Sequence, residues 1–164
     1  MSNLIKSLEE NGCIEKKENI KLKSGNISNT YYNIKKAAGI TETLEIIISE
    51  LEKIVPKEAS IVGVSTGGIR FASILSYKLK TNFAYVRSSK KEYGLESMIE
   101  GHIDPNKTIY IIEDVCTTGS SLIKVKNIIE EKYKNSKIKL VSIIDRQKNN
   151  LDIISVEKVK WKKY

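Results

Sequence analysis

Apolar positions follow two rhythms along this chain. Ser2 can cap a short helix whose Leu4, Ile5 and Leu8 share one face, with Gly12 as its stop. Ile20 and Leu22 precede the turn residues Ser24, Gly25 and Asn26, and Tyr31, Tyr32 and Ile34 follow them, which predicts a hairpin. From Thr41 to Val55 the spacing of Leu44, Ile47, Ile48, Leu51 and Ile54 fits an amphipathic helix that Pro56 closes. Beyond it, short apolar runs at 61–64, 83–86, 109–112 and 140–144 read as buried strands, with helices over 69–79 and 122–133. Thr66-Gly67-Gly68 is a tight loop after the first of these strands. Strands alternating with helices predict an α/β fold with a mainly parallel central sheet flanked by helices, and place ligands beyond the carboxyl ends of the strands.

At 164 residues the chain has room for one domain, expected over 1–164 as an N-terminal helix and hairpin (1–40), a core (41–147) and a tail (148–164). No apolar run approaches the ~20 residues that span a bilayer, and the first residues lack the layout of a secretion signal, so a cytoplasmic protein without membrane attachment is expected. Cys13 and Cys116 are too few and too far apart for a disulfide framework, and the single histidine, His102, argues against a zinc cluster. The net charge is +8, and residues 122–164 hold 12 Lys and Arg against 5 Asp and Glu. That excess favours anionic partners. Without an aromatic-interleaved basic motif, phosphorylated small molecules rank ahead of nucleic acid.

The strongest chemical signal is the string Ile109-Tyr110-Ile111-Ile112-Glu113-Asp114-Val115-Cys116-Thr117-Thr118-Gly119-Ser120-Ser121. An apolar strand leads through two adjacent acids into a small, hydroxyl-rich turn and a helix. A helix start offers free backbone N–H groups and partial positive charge, and Gly119 lets the backbone approach an anion closely. Glu113 and Asp114 are acceptors suited to the vicinal hydroxyls of a ribose. Taken singly, each residue fits an ordinary capped helix equally well. Together they describe a phosphate cradle beside a diol reader. No Gly-Lys-Ser/Thr closes the turn, so it is not a Walker loop.

This string closely resembles the signature that binds phosphoribosyl pyrophosphate (PRPP) in type I phosphoribosyltransferases. Three further segments resemble the orotate branch of that family. Leu22-Lys23-Ser24-Gly25, with Ser28 and Tyr31-Tyr32-Asn33, is similar to its N-terminal base-binding hairpin; Tyr85 to Gly94 with Ile99-Glu100-Gly101 is similar to its mobile catalytic loop; and Ile144-Asp145-Arg146-Gln147 matches its base-holding arginine. The resemblance spans about residues 18–147 and implies the type I fold, with a small N-terminal hood over the core.

The resemblance implies PRPP contacts from Lys23, Thr66, Gly67, Arg87, Lys91, Tyr93 and the run Glu113, Asp114, Val115, Cys116, Thr117, Thr118, Gly119, Ser120 and Ser121. It gives orotate to Tyr31, Tyr32, Thr117 and Arg146, a guanidinium being able to pair bidentately with a carboxylate that uracil lacks. Arg87, Lys90, Lys91 and Asp114 are the implied catalytic residues, and Mg²⁺ arrives held mainly by PRPP rather than by a protein site. A homodimer is implied, because in this family the lid reaches the neighbouring subunit's site.

The chain departs from the pattern in three places: Ser88 where many relatives have a second basic residue, Tyr93 where many have histidine, and Gly67 where many bacterial relatives have lysine. Some neutralisation of the leaving group would then pass to Lys90, or turnover would be slower. Cys116 is expected to fill space, and Trp161 to pack rather than bind. Two rival readings stay open from the sequence. One is a phosphoribosyltransferase for a purine or uracil. The other is a PRPP-sensing regulator that binds nucleic acid without turnover.

Overall fold

The computed structural model describes residues 1–22, 25–87 and 98–161. Helix α1 (Asn3–Glu10) starts at Ser2, whose Oγ accepts the Ile5 N–H at 3.2 Å. Strands β1 (Ile14–Lys21) and β2 (Ile27–Tyr32) form an antiparallel hairpin with an irregularity between Lys16 and Ile20, where Asn19 takes a positive φ of 56°. β1 begins earlier than the apolar pattern indicates. Its segment IEKKENIK faces solvent along most of its length and shows no alternation.

Ile34 does not extend the hairpin. It opens a short helix α2 (Ile34–Ala37), because the Asn33 side chain accepts the Lys36 N–H at 3.0 Å and so caps the turn. Helix α3 (Thr41–Ile54) follows, burying Ile47, Ile48 and Leu51, and a Ser7–Thr43 hydroxyl pair at 2.8 Å ties it to α1.

The remaining elements are β3 (Ser60–Val64), α4 (Gly67–Leu79), β4 (Asn82–Val86), β5 (Ile99–Gly101), β6 (Ile109–Cys116), α5 (Ser120–Lys132), β7 (Ile138–Asp145) and β8 (Ile153–Lys158). Six of these strands form a sheet in the order β5-β4-β3-β6-β7-β8. Only β5 runs antiparallel. The sheet is mainly parallel with helices on its faces, as the strand and helix alternation requires.

Period-two alternation sends successive strand residues to two cores. Ile61, Ile112, Val141 and Ile143 pack beneath α1, α3 and α4, while Val62, Val64, Ile109 and Ile111 pack beneath α5. All five residues of β3 are buried, which is why it reads as a continuous apolar run. From β3 the chain moves to β4 on one side and then to β6 on the other. The carboxyl ends of β3 and β6 therefore form the switch point where a crevice opens in such sheets.

Further differences from the sequence expectation fall before α4, at the end of β6 and in the tail. Thr66-Gly67-Gly68 is not a separate loop, since α4 already starts at Gly67. β6 runs four residues past its apolar core, so Glu113 to Cys116 are strand residues and the turn proper is 117–119. The tail contributes a sixth strand, β8, parallel to β7. Its segment IISVEK mixes partly buried and exposed positions, as an edge strand does, and so carries little of the signal of the central strands.

Candidate active site

A cleft of about 240 Å³ opens at the carboxyl ends of β3 and β6. Ser65, Thr66 and Gly67 line one wall, Glu113 to Val115 the floor, Thr117 to Ser121 the far wall, and Tyr31, Tyr32, Ile34, Lys35 and Arg146 the other end. Segments separated by more than a hundred residues thus meet in one space, and most of the expected binding residues are among them.

The turn at the far wall is built for an anion. Gly119, at the N-cap of α5, takes φ 77°, a left-handed conformation that glycine adopts without steric cost, and no side chain caps the helix. The first-turn amides are left for a ligand, and exposed Thr118 and Ser120 bring hydroxyls beside them, 3.3 Å from each other. A Cβ on Gly119 would collide with the Leu151 side chain, so the tail packs directly on this turn.

Asn149 braces it further, donating from Nδ2 to the Thr117 carbonyl at 3.2 Å and to Asp145 Oδ1 at 3.1 Å, and accepting the Leu151 N–H at 3.1 Å. Sequence reasoning passed over Asn149 because a lone polar residue in a loop carries no periodic or motif signal.

Glu113 and Asp114 lie on the floor, Glu113 nearly buried and Asp114 half-buried. Asp114 Oδ1 accepts the Val115 N–H at 3.0 Å, and its carboxylate rests against Gly67 so closely that any Cβ there would overlap it. The departure at position 67 therefore has a steric meaning: the space of a side chain is filled by Asp114. That carboxylate also sits at the start of α4, where the helix dipole favours negative charge.

Arg146 lies at the end of the cleft lined by Tyr31 and Tyr32. It is 4% exposed, its Nη2 donates to Ser28 Oγ at 2.5 Å, and its Nε has no hydrogen-bond partner among the described residues. Burial lowers its pKa from the ordinary arginine value, with the Tyr32 hydroxyl opposing the shift. The Tyr32 hydroxyl is pushed up by burial, offset by Arg146. Asp145 does not pair with Arg146; its Oδ1 takes the Gln147 N–H and Asn149.

Two expected residues lie off the cleft. Arg87 turns to Glu100, Nη1 to Oε1 at 3.2 Å, and Cys116 is fully buried beneath the turn. Burial, followed by the charges of Glu113 and Asp145, pushes the Cys116 thiol up to about 12, which fits a space-filling role. Lys23, Lys90, Lys91 and Tyr93 lie outside the described residues. Lys35, exposed at the cleft's edge, adds a cation that sequence reasoning missed, since nothing distinguishes it from other surface lysines. Among the described residues no group of three or more His, Cys, Asp and Glu could hold a metal ion, and no helix is long and apolar enough to cross a membrane.

Residues 28–162 match the phosphoribosyl transferase domain family. The orotate phosphoribosyltransferase of Methanocaldococcus jannaschii is 34% identical over 97% of this chain and 94% of its own. In fold, the crystal structure of orotate phosphoribosyltransferase from Aeropyrum pernix superposes with a TM-score of 0.80 at 23% identity, covering 94% of this chain and 93% of that one. Adenine phosphoribosyltransferase from Leishmania donovani superposes at 0.63 with 15% identity, covering 96% and 80%, so the fold is common to enzymes named for different bases. By its domain match and its similarity to the methanogen enzyme, this chain belongs to the orotate branch of the phosphoribosyltransferase family.

Proposed function

We propose that this chain transfers the phosphoribosyl group of PRPP to orotate, giving orotidine 5'-monophosphate and pyrophosphate in de novo pyrimidine biosynthesis. One observation carries the reading: a helix start without a side-chain cap and a buried arginine, which has no acidic partner among the described residues, open into the same cleft. A buried charge without a counter-charge is costly, and a ligand carboxylate would supply what the fold withholds.

The 5'-phosphate sits on the amides that begin α5 and on the Thr118 and Ser120 hydroxyls. Glu113 and Asp114 accept the ribose hydroxyls. Orotate lies at the other end, its carboxylate on Arg146, with Tyr31 and Tyr32 beside the ring and Thr117 near it. A bond forms between the ring nitrogen and C1 of the ribose as the C1–O bond to diphosphate breaks, through a sugar with oxocarbenium character. The main catalytic demand is then to stabilise charge gathering on the departing diphosphate.

Lys90, Lys91 and Arg87 serve that demand, with Arg87 exchanging Glu100 for the diphosphate. Closure of the lid over the cleft also keeps water from the reactive sugar. The two adjacent carboxylates and the hydroxyls of the cleft are hard oxygen donors that suit Mg²⁺, which would travel on PRPP with Glu113 and Asp114 nearby. When bound, the ion neutralises the diphosphate. Two copies of the chain share their lids in a homodimer.

The direct test is the fall of orotate absorbance when PRPP and Mg²⁺ are added to the purified protein, run beside uracil, adenine and hypoxanthine. Consumption of orotate alone is expected; turnover of another base in its place would transfer the chain to a different branch.

A further inference from the structure

The tail beyond β7 reaches the base end of the cleft. Because β8 pairs in parallel with β7, both strands leave the sheet at the same edge, with Asp145 opposite Lys158 and the Val159 N–H donating to the Asp145 carbonyl at 2.8 Å. The residues after each strand emerge together, which sets Trp161 against Arg146 and Lys148. The Trp161 ring centre is 4.5 Å from the Arg146 guanidinium carbon and 4.5 Å from the Lys148 Nζ. Lys148 in turn donates to Asn26 Oδ1 of the hairpin turn at 2.5 Å.

Arg146 is thus steadied by aromatic faces, Trp161 and, at 5.7 Å, Tyr32, together with the Ser28 hydroxyl. The choice of partner has a consequence. A carboxylate at position 161 would hold the guanidinium more tightly but would neutralise it. An aromatic face attracts a cation through its quadrupole and leaves the charge available to an incoming anion.

We propose that Trp161 is a positioning residue for the base subsite, holding the Arg146 guanidinium ready for the carboxylate of the base. This rests on orotate being the base. A ring that only covered apolar surface would need neither cation above it.

Steady-state kinetics of the full chain, wild type beside Trp161→Ala and Trp161→Phe, test the proposal. Loss of the ring is expected to raise the KM for orotate roughly tenfold, the scale of a desolvated cation–π contact, with the KM for PRPP within about twofold. Phenylalanine should restore most of the loss. An unchanged orotate KM in folded Trp161→Ala, or equal rises for both substrates, would overturn the role. Trp161 is the chain's single tryptophan, so its emission gives a second reading that needs no variant. Titration of wild type with orotidine 5'-monophosphate should change that emission, and if Trp161→Ala does not fold, a flat titration overturns the proposal by itself. A wild type that turns over another base but not orotate would remove the functional reading itself, which is a different result from an orotate-active wild type whose variant behaves normally.

Discussion

The two ends of the cleft are built in opposite ways. The proposed phosphate end is made of consecutive residues, from the last residues of β6 to the first turn of α5, and offers mainly backbone amides and a left-handed glycine. The base end is assembled from side chains on three distant segments: Ser28 and Tyr32 from the hairpin, Arg146 after β7, and Trp161 from the tail. On the proposed function the first end would hold the phosphate of PRPP, for which a local backbone device suffices. The second would have to distinguish one base from others, and its specificity would depend on how those segments pack. Substitutions at the two ends should therefore fail differently.

The largest effect is expected where the ends meet, on the floor. Asp114→Asn keeps the shape of the side chain but removes the charge proposed to face the ribose, and kcat/KM should fall on the order of 10²- to 10³-fold, as for loss of a preorganised transition-state contact. Mixing this protein with Lys91→Ala after subunit exchange should return activity to one of the two sites of a hybrid dimer. No recovery would contradict sharing of the lid.

Arg146→Ala comes next. The KM for orotate should rise roughly 10- to 100-fold, the scale of a charge-assisted hydrogen-bonded pair, while PRPP binding is largely kept. Equal loss of both substrates would erase the distinction between the ends. Asn149→Ala should act in the opposite sense, because it frees the Thr117 carbonyl. The KM for PRPP should rise roughly five- to tenfold from one lost bracing hydrogen bond, with orotate little affected; an unchanged PRPP constant would mean that the turn holds itself.

Cys116→Ala should change turnover least, within about twofold, since cavity costs fall on stability rather than on contacts with substrate. The thiol itself makes a pH prediction. Its folded value, about 12, lies above the ordinary 9.0, so the stability it contributes is complete below pH 9.0 and declines as pH rises towards 12. Urea denaturation from pH 8 to 11 should show a steeper loss for wild type than for Cys116→Ala. Equal slopes would mean that the buried thiol is not what titrates.

This asymmetry also governs what the chain discloses when read as letters. The turn before α5 was legible as structure because its pattern is local: apolar strand, two acids, hydroxyls and a glycine stand in the order in which they line the cleft. The central strands and α3 were legible because full burial or a single buried face leaves a clear period. The start of β1 and the whole of β8 carry weak signals for different reasons: β1 is largely exposed, and β8 is an edge strand of mostly partly buried positions, so packing imposes little alternation on either. Ile34 was assigned to the hairpin because the Asn33 cap, a single side-chain hydrogen bond, outweighs the β tendency of the preceding tyrosines. Arg146 could be named from its motif, but its burial against Trp161 could not, since that contact depends on a strand pairing with no local signature.

One bound nucleotide should bridge both ends of the cleft, and a crystal structure of the protein with orotidine 5'-monophosphate would show whether it does. The phosphate is expected on the amides of Ser120 and Ser121 and the base carboxylate within hydrogen-bonding distance of Arg146. Nucleotide bound with its phosphate away from that turn, or with its carboxylate in solvent and Arg146 still facing only Ser28, would contradict that expectation.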